Sequence, residues 1–469
     1  MDSRFKIQFG FVFSLFFITS SLFAKIPNSF TEDIKSNYSQ FWFLYESETR
    51  GRQNFFAIRP FYMSFSDKTY AFRFHSYLSP IYYKEETNYW YTWSSLFFFS
   101  GTGFKHEEGD EDEDILFTPL FLWGKGESQR ENYYSVFPLY GKIRNKLSYQ
   151  ELNYVLFPIY SEWRYKTYKA RSIGWPFVMW GGSETRDDFR IFPLYSKKSH
   201  EGKYKRYSVL WPFFQWGEER LDKKEPTSYQ IFFPFYNQKS SVDGNMKSYA
   251  FLWFPLLNSL FSYGYDKKTG QTNYTALFIF FQYTTSVKKD TEKLVFFPFY
   301  GYSYFANKEA EFITPFYIRL SQNTSHLKST SHFILPFYSH MKNEYVQTGR
   351  EDYYWKLWPF FRYHKDPEGN FGWNTLAIIP VRFEVMEDVW EPIFSIIEYK
   401  RSSNGEKRLH LITRLYTHRW TQDETHIHIP IIMEYSKTNS GFSYDFAYGL
   451  FGIDTREETN HYKLFWWKI

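Results

Sequence analysis

Proline recurs along this chain at near-constant intervals, and a fixed period of this kind confines the fold to a repeat architecture. The series is Pro60, Pro80, Pro119, Pro138, Pro158, Pro176, Pro193, Pro212, Pro234, Pro255, Pro298, Pro315, Pro336, Pro359 and Pro380. Single steps run from 17 to 23 residues. Two double steps, of 39 and 43 residues, span Leu96-Phe-Phe-Phe99 and Leu277-Phe-Ile-Phe-Phe281, the same element without its proline. Ile412-Thr-Arg-Leu-Tyr416 mirrors Ile313-Thr-Pro-Phe-Tyr317, with Arg414 where Pro315 stands. Of the 20 prolines only Pro27, Pro226 and Pro367 fall out of step, and Pro392 follows after a shortened turn.

The element has two forms. One is Pro-Φ-Tyr: Pro138 with Tyr140, Pro158 with Tyr160, Pro193 with Tyr195, Pro234 with Tyr236, and Pro298 with Tyr300. The other is Pro-Φ-Φ-x-Trp-Gly, which ends at Trp123, at Trp180 after Pro176, and at Trp216 after Pro212. Trp175 and Trp211 stand directly before their prolines. The forms alternate between positions 158 and 234, as neighbouring strands of opposite direction would. Polar, glycine-bearing segments such as Glu201-Gly202, Asp243-Gly244 and Asn404-Gly405 separate them and carry hairpin signals. Each period therefore predicts one strand of about ten residues plus a turn, giving about 22 or 23 strands in an antiparallel up-and-down meander. Mid-strand proline would have to mark a shared bend, because it removes a ladder hydrogen bond.

Composition agrees. The 469 residues include 55 Phe, 42 Tyr and 17 Trp, 24% aromatic in all, with only ten Ala. Aromatics favour strands and Ala favours helices, so α-bundles and Ala-rich nucleotide-binding folds are improbable. A net charge of +5 spread over this length gives no clustered basic face for nucleic acid. Cys is absent, which removes disulfides, thiolate catalysis and Cys-ligated zinc. Arg4 and Lys6, the apolar run Ile7–Phe17 and Ala24 read as a secretory signal over residues 1–24, leaving one repetitive domain over 25–469.

Tyr229–Tyr236, at roughly 3.3 Å per residue, would span about 26 Å, near the apolar band of outer-membrane barrels. With Tyr and Trp bordering such runs, the chain resembles Gram-negative outer-membrane β-barrel proteins along its whole mature length. The resemblance implies a large transmembrane barrel, closed by a last strand with Phe465, Trp467 and Ile469 on one face. It also implies outer-membrane lipid and the export and barrel-insertion machinery as partners, and a transport, pore or surface-structural role, with a hydrophobic or amphipathic cargo favoured by the apolar second face. Around Val209–Phe214 both faces are apolar, unlike a porin, which suits a greasy lumen, a filled interior or a sheet folded on itself. The alternative is a soluble exported β-repeat scaffold, periplasmic or secreted, that binds glycan or lipid.

No catalytic site is expected, because no hydrolase, phosphate-loop or dinucleotide motif is present. No metal or cofactor is expected either. Asp110, Asp112 and Asp114 have the alternate spacing of a calcium loop, but its glycine and bidentate Glu are missing, so an acidic surface loop is the reading. His426 and His428 share a strand face without a third ligand.

Overall fold

The computed structural model describes residues 37–468 except 97, 106–110, 118–119, 127–130, 146–148, 255 and 457–459. Residues 1–24, expected to be a secretory signal, lie outside the described residues, as do Pro119, Pro255, Asp110 and Ile469. What is described is an all-β antiparallel meander of 44 strands with one helix, α1 (Glu384–Phe394). Two compact units form: one from residues up to Leu96 with most of Pro336 onward, the other chiefly Phe97–Leu335.

The strand count is double the expectation, and the prolines explain why. They sit in the reversals between strands, not within strands. Pro158 lies in the turn between Glu151–Val155 and Tyr160–Tyr165, Pro176 between Tyr168–Ile173 and Val178–Gly182, and Pro193 between Arg186–Ile191 and Tyr195–His200. The Phe157-Pro158, Trp175-Pro176, Phe192-Pro193 and Trp211-Pro212 bonds are cis, as a type VI turn requires. The Ile159 amide donates to the Leu156 carbonyl at 2.8 Å and closes the reversal. Each period of about twenty residues is thus a hairpin of two short strands. The ladder also continues into the turns: the Phe157 amide donates to the Pro138 carbonyl, and Trp175 to Pro158, both at 2.7 Å. No ladder donor is lost, because proline occupies a position that needs none.

Two strands separate successive proline turns, so in the second unit all of them lie along one edge of the sheet. The polar turns, such as Glu201–Lys203, lie along the other. The Tyr and Trp forms alternate between hairpins of that same edge, rather than between strands of opposite direction. Pro380 and Pro392 leave the series: the first is in an irregular stretch and the second is inside α1.

The Trp-Gly and Tyr-Gly pairs acquire a reason here. Gly124 faces Tyr133, Gly141 faces Tyr154, Gly217 faces Tyr229 and Gly301 faces Phe312 across the ladder. At Gly124, Gly141 and Gly301 the ring lies over the glycine, where a Cβ would collide with it, and at Gly217 a Cβ would meet the Lys205 carbonyl as well as the Tyr229 ring. Gly141→Val should therefore destabilise by about 1–3 kcal/mol through overpacking. Gly202→Asn, at a left-handed turn with open space around it, should stay within about 0.5 kcal/mol. Urea titration of both variants checks this, and an unchanged midpoint for Gly141→Val would contradict it.

In the first unit, α1 is packed on both sides. Val385 and Val389 join Ala57, Met63, Phe65 and Phe74 of the N-terminal strands in a buried cluster. The opposite side of α1 meets Tyr354, Lys356 and Arg362 of the C-terminal strands through its carboxylates. Among the described residues the first strand, Asn37–Phe41, pairs only with Tyr45–Arg50, and the last, Trp467–Lys468, only with His461–Leu464. The meander is not closed into a barrel. Phe465 lies in the turn before that last strand and Trp467 within it, so the two do not share one closing strand.

Candidate functional site

Two features stand out, one in each unit. The first is an apolar ladder on the face of the second unit. Phe99 pairs with Phe117, which pairs with Phe121, then Val136, Tyr140, Val155, Tyr160 and Ile173. The series continues through Val178, Ile191, Tyr195, Val209, Phe214, Phe232 and Tyr236. It ends with Phe251, Phe261, Ala276, Phe281, Phe296, Tyr300, Ile313 and Tyr317. One residue from each of 23 consecutive strands contributes, and none is charged, amide or hydroxyl-aliphatic. Tyr140, Tyr160, Tyr195, Tyr236 and Tyr300 of the Pro-Φ-Tyr form belong to this row, each as the first residue after its turn.

Above the row stand the turn tips, whose apolar side chains are open: Ile159 is 59% exposed, Phe177 55% and Leu194 57%. The residues before proline stack along this edge, with Phe157 against Trp175 at 5.6 Å and Phe192 against Trp211 at 5.1 Å between ring centres. One step toward the polar turns, Trp123, Trp180 and Trp216 stand among tyrosines and ion pairs; Trp216 stacks on Tyr207 at 5.8 Å, and Arg171 meets Glu162 at 2.7 Å. Beyond them the strands end in Lys, Glu and Ser. Polarity is therefore graded along each strand: apolar turn, apolar row, aromatic and ion-paired row, charged turn. The opposite face is buried and mixes small polar groups, such as Ser161 hydrogen-bonded to Ser172 at 2.6 Å, with the apolar cluster of Tyr133, Ile143 and Tyr154.

The second feature is a charged chamber in the first unit, a cavity of 190 Å³ lined by eight carboxylates and eight cationic side chains. Arg414 is its hinge pin. Its guanidinium holds Glu398 through two bonds of 2.9 Å and donates to Glu46 at 2.7 Å. Arg59 also binds Glu46, and Arg408 bridges Glu48 and Glu406. Lys356, buried beside α1, reaches Glu387 at 2.6 Å, Glu391 at 3.2 Å and the Ile379 carbonyl at 2.8 Å. Burial alone would raise the Glu46 and Glu398 carboxyls, but Arg414 and its neighbours outweigh it and hold both well below the usual range. Burial, with the Arg414 charge, pushes His410 down to about 3. These ion pairs tie N-terminal strands, C-terminal strands and α1 to one another.

These pairs predict the response to acid. An unfolded His titrates near 6.5, so stability linked to neutral His410 is full above that value and falls as pH drops toward 3. Glu46 and Glu398 add stability that is full above about 4.5 and is lost as pH falls below it. Unfolding free energy should therefore decline from about pH 6.5 and steepen below about 4.5. His410→Gln should flatten the upper part of that decline. A stability curve level between pH 4.5 and 6.5 would overturn the His410 assignment.

Sequence reasoning missed this chamber. Its only local signs are Glu46, Glu48 and Arg50 at alternate positions of one strand, and the break in the proline series over α1. Among the described residues no group of three potential metal ligands converges. Asp112 and Asp114 are in the strand Glu111–Phe117 rather than in a loop, and Asp114 accepts a hydrogen bond from Tyr133. His426 meets Glu434 at 3.0 Å. Compared with known proteins, the chain matches no family model and no curated relative.

Proposed function

We propose that this chain is an exported structural or lipid-handling protein that rests on the outer membrane along its proline-turn edge. In this reading the turn tips and the apolar row enter one leaflet, the Tyr and Trp row lies at the level of the head groups, and the charged turns face water. The observation that carries it is the unbroken apolar row beside exposed apolar tips, since a contiguous apolar surface of this extent marks an interaction site. Aromatic side chains with one wet end suit the interface.

Edge-on attachment fits these strands better than crossing. Apart from Met246–Phe254 and Asn258–Asp266, with nine residues each, the strands of the row have four to seven residues; six at about 3.4 Å span roughly 20 Å, whereas a tilted transmembrane strand needs about nine to eleven.

Fractionation tests the proposal. The chain should sediment with outer membranes, resist a high-salt wash and dissolve in detergent, without the gel shift on boiling that a closed barrel gives. Recovery in the soluble periplasmic or culture fraction would sink the membrane reading and favour the soluble scaffold. A clear heat-dependent shift would instead favour a spanning barrel.

A further inference from the structure

Within the apolar row, one position breaks the pattern of bulk. Ala276 pairs with Phe261 on one side and Phe281 on the other, and it is the only residue of the row smaller than valine. The missing side chain leaves a notch in an otherwise continuous wall. Behind it Tyr274 stands between Tyr263 and Tyr283, with ring centres 5.1 and 6.4 Å apart. A shallow hollow of about 730 Å³, open to the surface, lies here, comparable in volume to small-molecule sites. Its walls are aromatic, and no charged side chain lines it.

We propose that this notch binds a single acyl chain of a lipid or fatty acid. Phe251, Phe261 and Phe281 would flank the hydrocarbon, Ala276 would form the floor, and the tyrosine hydroxyls would meet the polar head. The chemistry of the walls selects this occupant. Charge complementarity calls for a neutral, apolar body, since any ionised group placed among these rings would lose its hydration without a partner. A glycan could stack on the rings, but its hydroxyls would find neither carboxylate nor amide side chains here. The hollow also continues the apolar row, so a chain lying in a leaflet can slide into it without crossing water. The proposal deepens the membrane-edge reading, yet its test needs no membrane.

The test uses the full mature chain, a fluorescent polyene fatty acid as probe, and maltohexaose as the glycan comparison. The expected result is saturable binding of one fatty acid per chain. Ala276→Phe, which fills the notch, should weaken binding at least about tenfold. Val209→Phe adds similar bulk elsewhere in the row and should leave binding unchanged. If Ala276→Phe does not fold, as judged by circular dichroism, Tyr274→Lys places a charge in the wall and should cause the same loss. Wild-type-like binding by either folded notch variant would overturn the proposal, as would preference for maltohexaose. Attachment to liposomes without fatty-acid binding would overturn the notch alone. Fatty-acid binding without attachment would overturn only the membrane reading.

Discussion

Arg414→Leu is expected to cost about 3–5 kcal/mol of folding stability, the range for removing one member of a buried ion pair. The residue is 1% exposed and holds Glu46 of an N-terminal strand to Glu398 of a C-terminal one. Its loss leaves two buried carboxylates with only Arg59 and Lys400 to oppose them. Chemical denaturation at neutral pH measures the effect. The double variant Arg414→Leu with Glu398→Met should recover part of the loss, because charge then leaves the interior in a pair. A loss under about 1 kcal/mol would mean that water enters the chamber and screens the network.

Placing charge on the apolar edge should have an effect as large on attachment and almost none on folding. Phe177, Leu194 and Phe213 are the tips of three successive proline turns and are all about half exposed. Their combined replacement by Glu removes roughly 1.5–3 kcal/mol of apolar burial per side chain from the lipid-bound state. Each substitution on the exposed tip should change folding stability by no more than about 0.5 kcal/mol. Liposome flotation should show partitioning reduced at least about 100-fold, with an unchanged unfolding midpoint. Undiminished flotation of the folded triple variant would end the edge-on proposal.

Much of this fold was legible from residue order. Aromatic enrichment with scarce Ala and a polar break in each period, often marked by glycine, pointed to an antiparallel meander. What could not be read was the meaning of Pro158 or Pro193. An apolar run through proline, such as Val155-Leu-Phe-Pro-Ile-Tyr160, has the same composition as a single long strand with a bend and as two short strands joined by a tight reversal. The rule against proline inside a sheet favoured the reversal. Regular spacing favoured the strand, and the Ile159 to Leu156 hydrogen bond with the antiparallel pairing on either side of it separates the two. The error halved the strand number and lengthened each strand to membrane-spanning size.

The chamber was hidden for a different reason. Glu46, Glu398 and Arg414 are far apart in the chain, and each looks like an ordinary surface charge in its own segment. Arg414 was visible as the residue standing where the repeat has proline, but nothing local shows that it turns inward to two carboxylates. Helix α1 was masked by Pro392, which lies inside it.

Periodicity, the strand-rich class and the apolar residue after each turn follow from residue order alone, because these depend on neighbours along the chain. The tertiary structure decided which turns share an edge, that the apolar positions join into one row with a notch at Ala276, and which buried charges meet. These depend on register and on strands distant in the chain, and cross-strand pairing brings together residues whose separation in sequence carries no local signal.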